Sequence, residues 1–127
     1  MEEEQLFLPL KDLDLQLFLG RGENRKKLVA EWQRLTGKKD NEFDILCAEF
    51  TAHEYQLLFN TDQVTVVPRE AKRTKKRLLN QMEQTLLAHL EKEQLQTLKK
   101  ELGILSAFSL EIRITKIARY ILRIRKQ

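Results

Sequence analysis

From Arg69 to Leu102 the chain contains no glycine and no proline, and beyond Gly103 neither occurs again. No residue in these stretches removes a backbone donor or pays the conformational penalty of glycine, so long helices are the natural outcome. Leu78, Leu79, Met82, Leu86, Leu87, Leu90, Leu95, Leu98 and Leu102 recur there among good helix formers. One helix over 70–102 would be about 50 Å long at about 1.5 Å per residue. The Glu91-Lys92-Glu93 interruption is where such a helix would bend or break. In the last stretch Leu110, Ile114, Ile117, Ile121 and Ile124 alternate in steps of four and three, with Lys116, Arg119, Arg123 and Lys126 on the opposite face. That spacing is an amphipathic helix.

Helical patterns also occupy the first half. Leu28, Val29, Trp32 and Leu35 share one side of a helix over 23–36, and Gly37 stands where a C-terminal cap belongs. Asp40, Asn41, Glu42 and Asp44 suit a helix N-terminus, and the apolar residues Phe43, Leu46, Cys47, Phe50 and Leu57 continue it to about Asn60. The β-branched run Gln63–Val67 reads as a brief strand or extended link, stopped by Pro68. Leu6–Leu19 fits either a strand or a helix.

The fold expected is mainly α: one compact domain over 1–127, a bundle of about four helices at 23–36, 41–59, 70–102 and 107–126, one of them long and Leu-rich. Its core would include Leu28, Trp32, Leu35, Phe43, Leu46, Phe50, Leu57, Leu79, Met82, Leu86, Leu90, Ile114, Ile117 and Ile121. The alternative is α+β, with strands at 13–19, 63–67 and 109–114 in one small three-stranded sheet. Only 4 Gly and 2 Pro argue against a many-turned β-sandwich. A single cysteine excludes an internal disulfide framework, and no apolar run approaches the length of a membrane span. An acidic start is the wrong sign for a signal peptide, so an intracellular, cytoplasmic protein is expected.

Catalytic patterns are missing. Neither Ser106 nor Ser109 lies in a nucleophile elbow, and Cys47 belongs to an apolar stripe. Leu57 stands where a His-Glu-x-x-His zinc motif begun at His53 would need its second histidine. The turn Gly20–Arg25 lacks both the third glycine of a dinucleotide fingerprint and the Walker lysine. No enzyme activity, metal or cofactor is expected.

Charge is the informative feature. Residues 1–60 hold 8 Lys/Arg against 12 Asp/Glu, net −4, whereas residues 61–127 hold 15 against 7, net +8. Within the basic half, Arg69, Lys72, Arg73, Lys75, Lys76 and Arg77 put six cations into nine residues. At a helix N-terminus they oppose the backbone dipole, and Lys72/Lys76 and Arg73/Arg77 repel at four-residue spacing. Local stability does not account for such a cluster, while an anionic partner does. The run Glu31–Leu35, followed by Asp40 and Asp44–Glu49, and the later Leu102-Gly103 resemble the small DNA-packaging (terminase) subunits of phages over a short stretch, without that family's closing pattern. The resemblance implies an oligomeric, helical DNA-binding accessory protein.

The expectation is therefore a non-enzymatic accessory or regulatory protein that binds nucleic acid, DNA in preference to RNA. Arg69, Lys72, Arg73, Lys75, Lys76 and Arg77, with Lys116, Arg119, Arg123 and Lys126, would contact phosphates. The alternative is an adaptor that pairs its basic half with an acidic protein. The seam of the last helix adds the expectation of a homo-oligomer.

Overall fold

The computed structural model describes residues 6–9, 23–38, 43–46, 50–61, 63–103 and 107–125. The chain is mainly α-helical. In order it forms β1 (Leu6–Pro9), α1 (Glu23–Thr36), β2 (Phe43–Leu46), α2 (Ala52–Phe59), β3 (Gln63–Pro68), α3 (Lys72–Leu87), α4 (Lys92–Leu102) and α5 (Leu110–Arg125). It divides into two compact units, Met1–Lys76 and Arg77–Gln127. The division falls inside α3.

The first unit is built on a three-stranded sheet in the order β1-β3-β2. Both outer strands are antiparallel to β3, with Leu8 opposite Val64 and Ile45 opposite Val66. β3 is the β-branched run, and its central place follows from that composition, since Val64, Val66 and Val67 are all fully buried. Ile45 and Val66 share one face, and Leu46 and Val67 lie on the other, so apolar cover is needed on both sides. Leu28, Val29 and Trp32 of α1, Phe50, and Tyr55 and Leu58 of α2 complete the core.

Two local devices set the helix limits in this unit. α1 ends where Gly37 takes φ +71° and donates its N–H to the Gln33 carbonyl at 2.8 Å. Left-handed backbone of this kind favours glycine. α2 begins with a reciprocal cap: the Glu54 N–H donates to Thr51 Oγ1 at 3.1 Å, and the Thr51 N–H donates to Glu54 Oε1 at 3.1 Å. It ends at Asn60, in the left-handed region at φ 52°. On α1, Arg34 hydrogen-bonds Glu31 and holds its carboxyl below the usual carboxylate range.

The helix expected over 41–59 is thus corrected to a strand, Phe43–Leu46, and a short helix, Ala52–Phe59. The apolar stripe assumed a single helical phase through both. With α2 starting at Ala52, its buried side is Tyr55 and Leu58, which turns Leu57 outward to 47% exposure. Leu35, in the last turn of α1, is likewise 45% exposed. The segment 13–19, the turn Gly20–Gly22, Cys47 and Glu49 lie outside the described residues.

The second unit contains the rest of α3, then α4 and α5. The long helix of 70–102 is corrected to two, separated at Ala88–Glu91. After Leu87 the chain tightens, with His89 N–H to Leu86 O and Leu90 N–H to Leu87 O, both 3.1 Å. Glu91 then turns extended and donates its N–H to Gln94 Oε1 at 2.9 Å, which restarts the helix. The break sits at the acidic interruption and needs no glycine.

α5 starts after Ser109, whose Oγ accepts the Ile112 N–H at 3.4 Å. Ile114, Ile117 and Ile121 are buried as expected, and Ala118, Tyr120 and Leu122 widen that face beyond the seam. The middle of the expected seam is therefore already covered within one chain, with Leu110 and Ile124 at its ends half-buried. Residues 110–114 are helical, not the strand of the alternative fold. Arg113 fastens α5 to α3: its Nε and Nη2 donate to the Glu83 carboxylate at 2.6 and 3.2 Å, and Nη1 donates to the Phe108 carbonyl at 3.2 Å. Glu83 raises the already high pKa of Arg113, so the guanidinium stays charged at any working pH.

Candidate functional site

α3 is laid out by phase. Buried or half-buried positions are Thr74, Lys75, Leu78, Leu79, Met82, Glu83, Leu86 and Leu87. The remaining eight, Lys72, Arg73, Lys76, Arg77, Asn80, Gln81, Gln84 and Thr85, are all exposed. Steps of four run down the helix almost in line, so the exposed side consists of two adjacent rows. One row is Lys72, Lys76, Asn80 and Gln84, and the other is Arg73, Arg77, Gln81 and Thr85. Neither row contains an acidic or a large apolar residue.

The basic cluster lies at the start of this helix, as expected. Pro68 and Glu70 carbonyls receive the Ala71 and Lys72 N–H groups, each at 2.9 Å, and α3 opens with no acid in its first turn. Its cations therefore face the positive end of the helix dipole. Thr74 lies within the helix and is 1% exposed.

The cluster is not uniform, and the structure separates two groups. Arg69 Nε is 3.6 Å from Asp44 Oδ1, and Lys75 Nζ is 3.9 Å from Asp44 Oδ2. Asp44 is on β2, opposite Val67, so these two cations tie the sheet edge to the entrance of α3. Lys72, Arg73, Lys76 and Arg77 are exposed and have no hydrogen-bond or ion-pair partner among the described residues. Four of the six cations of this cluster are thus presented together, and two serve the fold. Asp44, read from sequence as part of a helix N-terminus, is the residue that makes the difference.

The cations of α5 are more engaged. Lys116 is half-buried, with Nζ 4.9 Å from the centre of the Phe108 ring. Arg123 lies over the Tyr120 ring at 5.3 Å and pairs with Glu101 of α4. Arg119 is exposed, and Lys126 lies outside the described residues. Arg125, near the end of the helix, has Nη2 2.9 Å from His89 Nδ1. Lys116, Arg123 and Arg125 thus have contacts that the four on α3 do not have among the described residues.

Nothing in the described residues gathers three or more metal-ligating side chains. No helix among them is long and apolar enough to cross a membrane. His53 is exposed on α2. Compared with known protein families, curated proteins and solved structures, the chain matches none. The short resemblance to small terminase subunits gains no support from that comparison.

One buried polar atom belongs to the same helix turn. Thr74 Oγ1 has no hydrogen-bond partner among the described residues. A hydroxyl left so costs about 1–3 kcal/mol. Thr74→Val, of similar shape and helix propensity, is expected to raise stability by about 1 kcal/mol in urea denaturation, with the four exposed cations undisturbed.

Proposed function

We propose that this protein is a non-enzymatic nucleic-acid-binding accessory protein whose exposed α3 face contacts the phosphate backbone. The observation that carries the reading is the set Lys72, Arg73, Lys76 and Arg77: exposed, stacked in like-charge pairs, and without carboxylate partners among the described residues. Each pair lowers helix stability by a few tenths of a kcal/mol, and the dipole adds to the cost. A polyanion relieves both at once, because a phosphate chain supplies closely spaced negative charge and gains entropy from released counterions. Duplex DNA is the favoured form, since its major groove admits an α-helix between two phosphate chains.

The test is direct binding of labelled duplex and single-stranded DNA and RNA at low salt, with polyglutamate as the competing acidic partner. Micromolar or tighter affinity for duplex, lost on raising salt, supports the reading. An adaptor for acidic proteins would hold polyglutamate and show no affinity for any nucleic acid, and that result removes the proposal.

A further inference from the structure

We infer that α3 does more than hold phosphates: its second half, Asn80, Gln81 and Gln84, reads base edges in the major groove, with adenine the base it recognises. The inference rests on the nucleic-acid reading above and deepens it. Its ground is the continuation of the two exposed rows. Lys72 and Lys76 are followed by Asn80 and Gln84, and Arg73 and Arg77 by Gln81, all on the same exposed face. Two turns of cations thus lead into a turn and a half of side-chain amides.

Amides suit this place for a chemical reason. Adenine presents an acceptor at N7 beside a donor at N6 in the major groove, and a carboxamide offers the complementary donor and acceptor together. Lysine and arginine have no acceptor, and carboxylates, absent from these rows, would repel the backbone. Asn80, Gln81 and Gln84 fall within about 100° of arc and about 6 Å of rise, an extent of roughly two base pairs. Their amides have no hydrogen-bond partner among the described residues, so no internal contact has to be broken. Phosphate contacts would set the register, and no acid or large apolar side chain on the face opposes base contact.

The experiment is selection of duplexes from a randomised pool by the full chain, alongside the variant Asn80→Ala, Gln81→Ala, Gln84→Ala. Alanine at exposed helical positions favours the helix, and circular dichroism checks that the variant is folded. The intact protein is expected to enrich duplexes with A·T pairs at a fixed short spacing. The variant should lose that enrichment by tenfold or more while keeping the same salt dependence on random duplex, because its phosphate contacts remain. Equal enrichment by the variant would place base reading elsewhere and overturn the inference. Binding without enrichment, or binding to single strands alone, would overturn it and leave the phosphate-binding reading standing. No binding to any nucleic acid would remove both.

Discussion

Replacing Lys72, Arg73, Lys76 and Arg77 with glutamine is expected to weaken binding to every duplex alike, on the order of a hundredfold near 50 mM salt. The size follows from counterion release. Four phosphate contacts give a dependence of log K on log salt near −3.6, and the variant loses most of that slope. Sequence preference should survive in relative terms, because phosphate contacts position the protein without identifying bases. Folding should survive too, and helix content hold or rise, since the change removes cations from a positive helix end and two repulsive pairs. The contrasting variant, Arg69→Gln with Lys75→Gln, acts on Asp44 instead. It should leave the salt slope nearly intact and reduce stability by about 1 kcal/mol, the scale of partly exposed ion pairs. Fluorescence anisotropy on a labelled duplex, with urea denaturation in parallel, distinguishes the two.

The second large effect is in the core of the first unit. Trp32→Ala is expected to cost about 3–5 kcal/mol, the range for deleting a buried aromatic ring and leaving part of its volume empty. Trp32 is 1% exposed on the inner face of α1, whereas Leu35, one turn further on the same sequence stripe, is 45% exposed. Leu35→Ala should therefore cost under about 0.5 kcal/mol. Urea denaturation followed by circular dichroism at 222 nm reads both, and comparable losses for the two would contradict the assigned limits of α1. Against a typical total of about 5–15 kcal/mol, the tryptophan variant would be close to unfolding.

Local pattern was enough wherever an element's signal was confined to itself. The last helix was readable from the steps of Ile114, Ile117 and Ile121, and β3 from its run of valines ahead of Pro68. β2 was not, because Phe-Asp-Ile-Leu has no preference strong enough to oppose the helical spacing around it. Its identity comes from pairing with Val66 and Val67, more than twenty positions away in the chain. Two signals were present and pass easily unnoticed. Thr51-x-x-Glu54 marks the start of α2 with a reciprocal cap, and Glu91-x-x-Gln94 marks the restart at α4, where the Gln94 side chain accepts the Glu91 N–H.

The candidate site shows the same division. Its cations stand out in sequence by charge, but which of them are committed to the fold depends on Asp44, which only the β2–β3 register brings beside Arg69 and Lys75. Asn80, Gln81 and Gln84 carry no charge and break no pattern, so nothing in composition draws notice to them. They acquire meaning from the phase of α3, once Ala71 and Thr74 are known to face inward.

The most direct measurement of the central claim is the affinity of the intact chain for one short duplex across a salt series from 50 to 300 mM. Contact through the four exposed cations of α3 predicts a linear fall of log K with log salt at a slope of about −3 to −4. A slope near zero, or no measurable duplex binding at 50 mM, would contradict it.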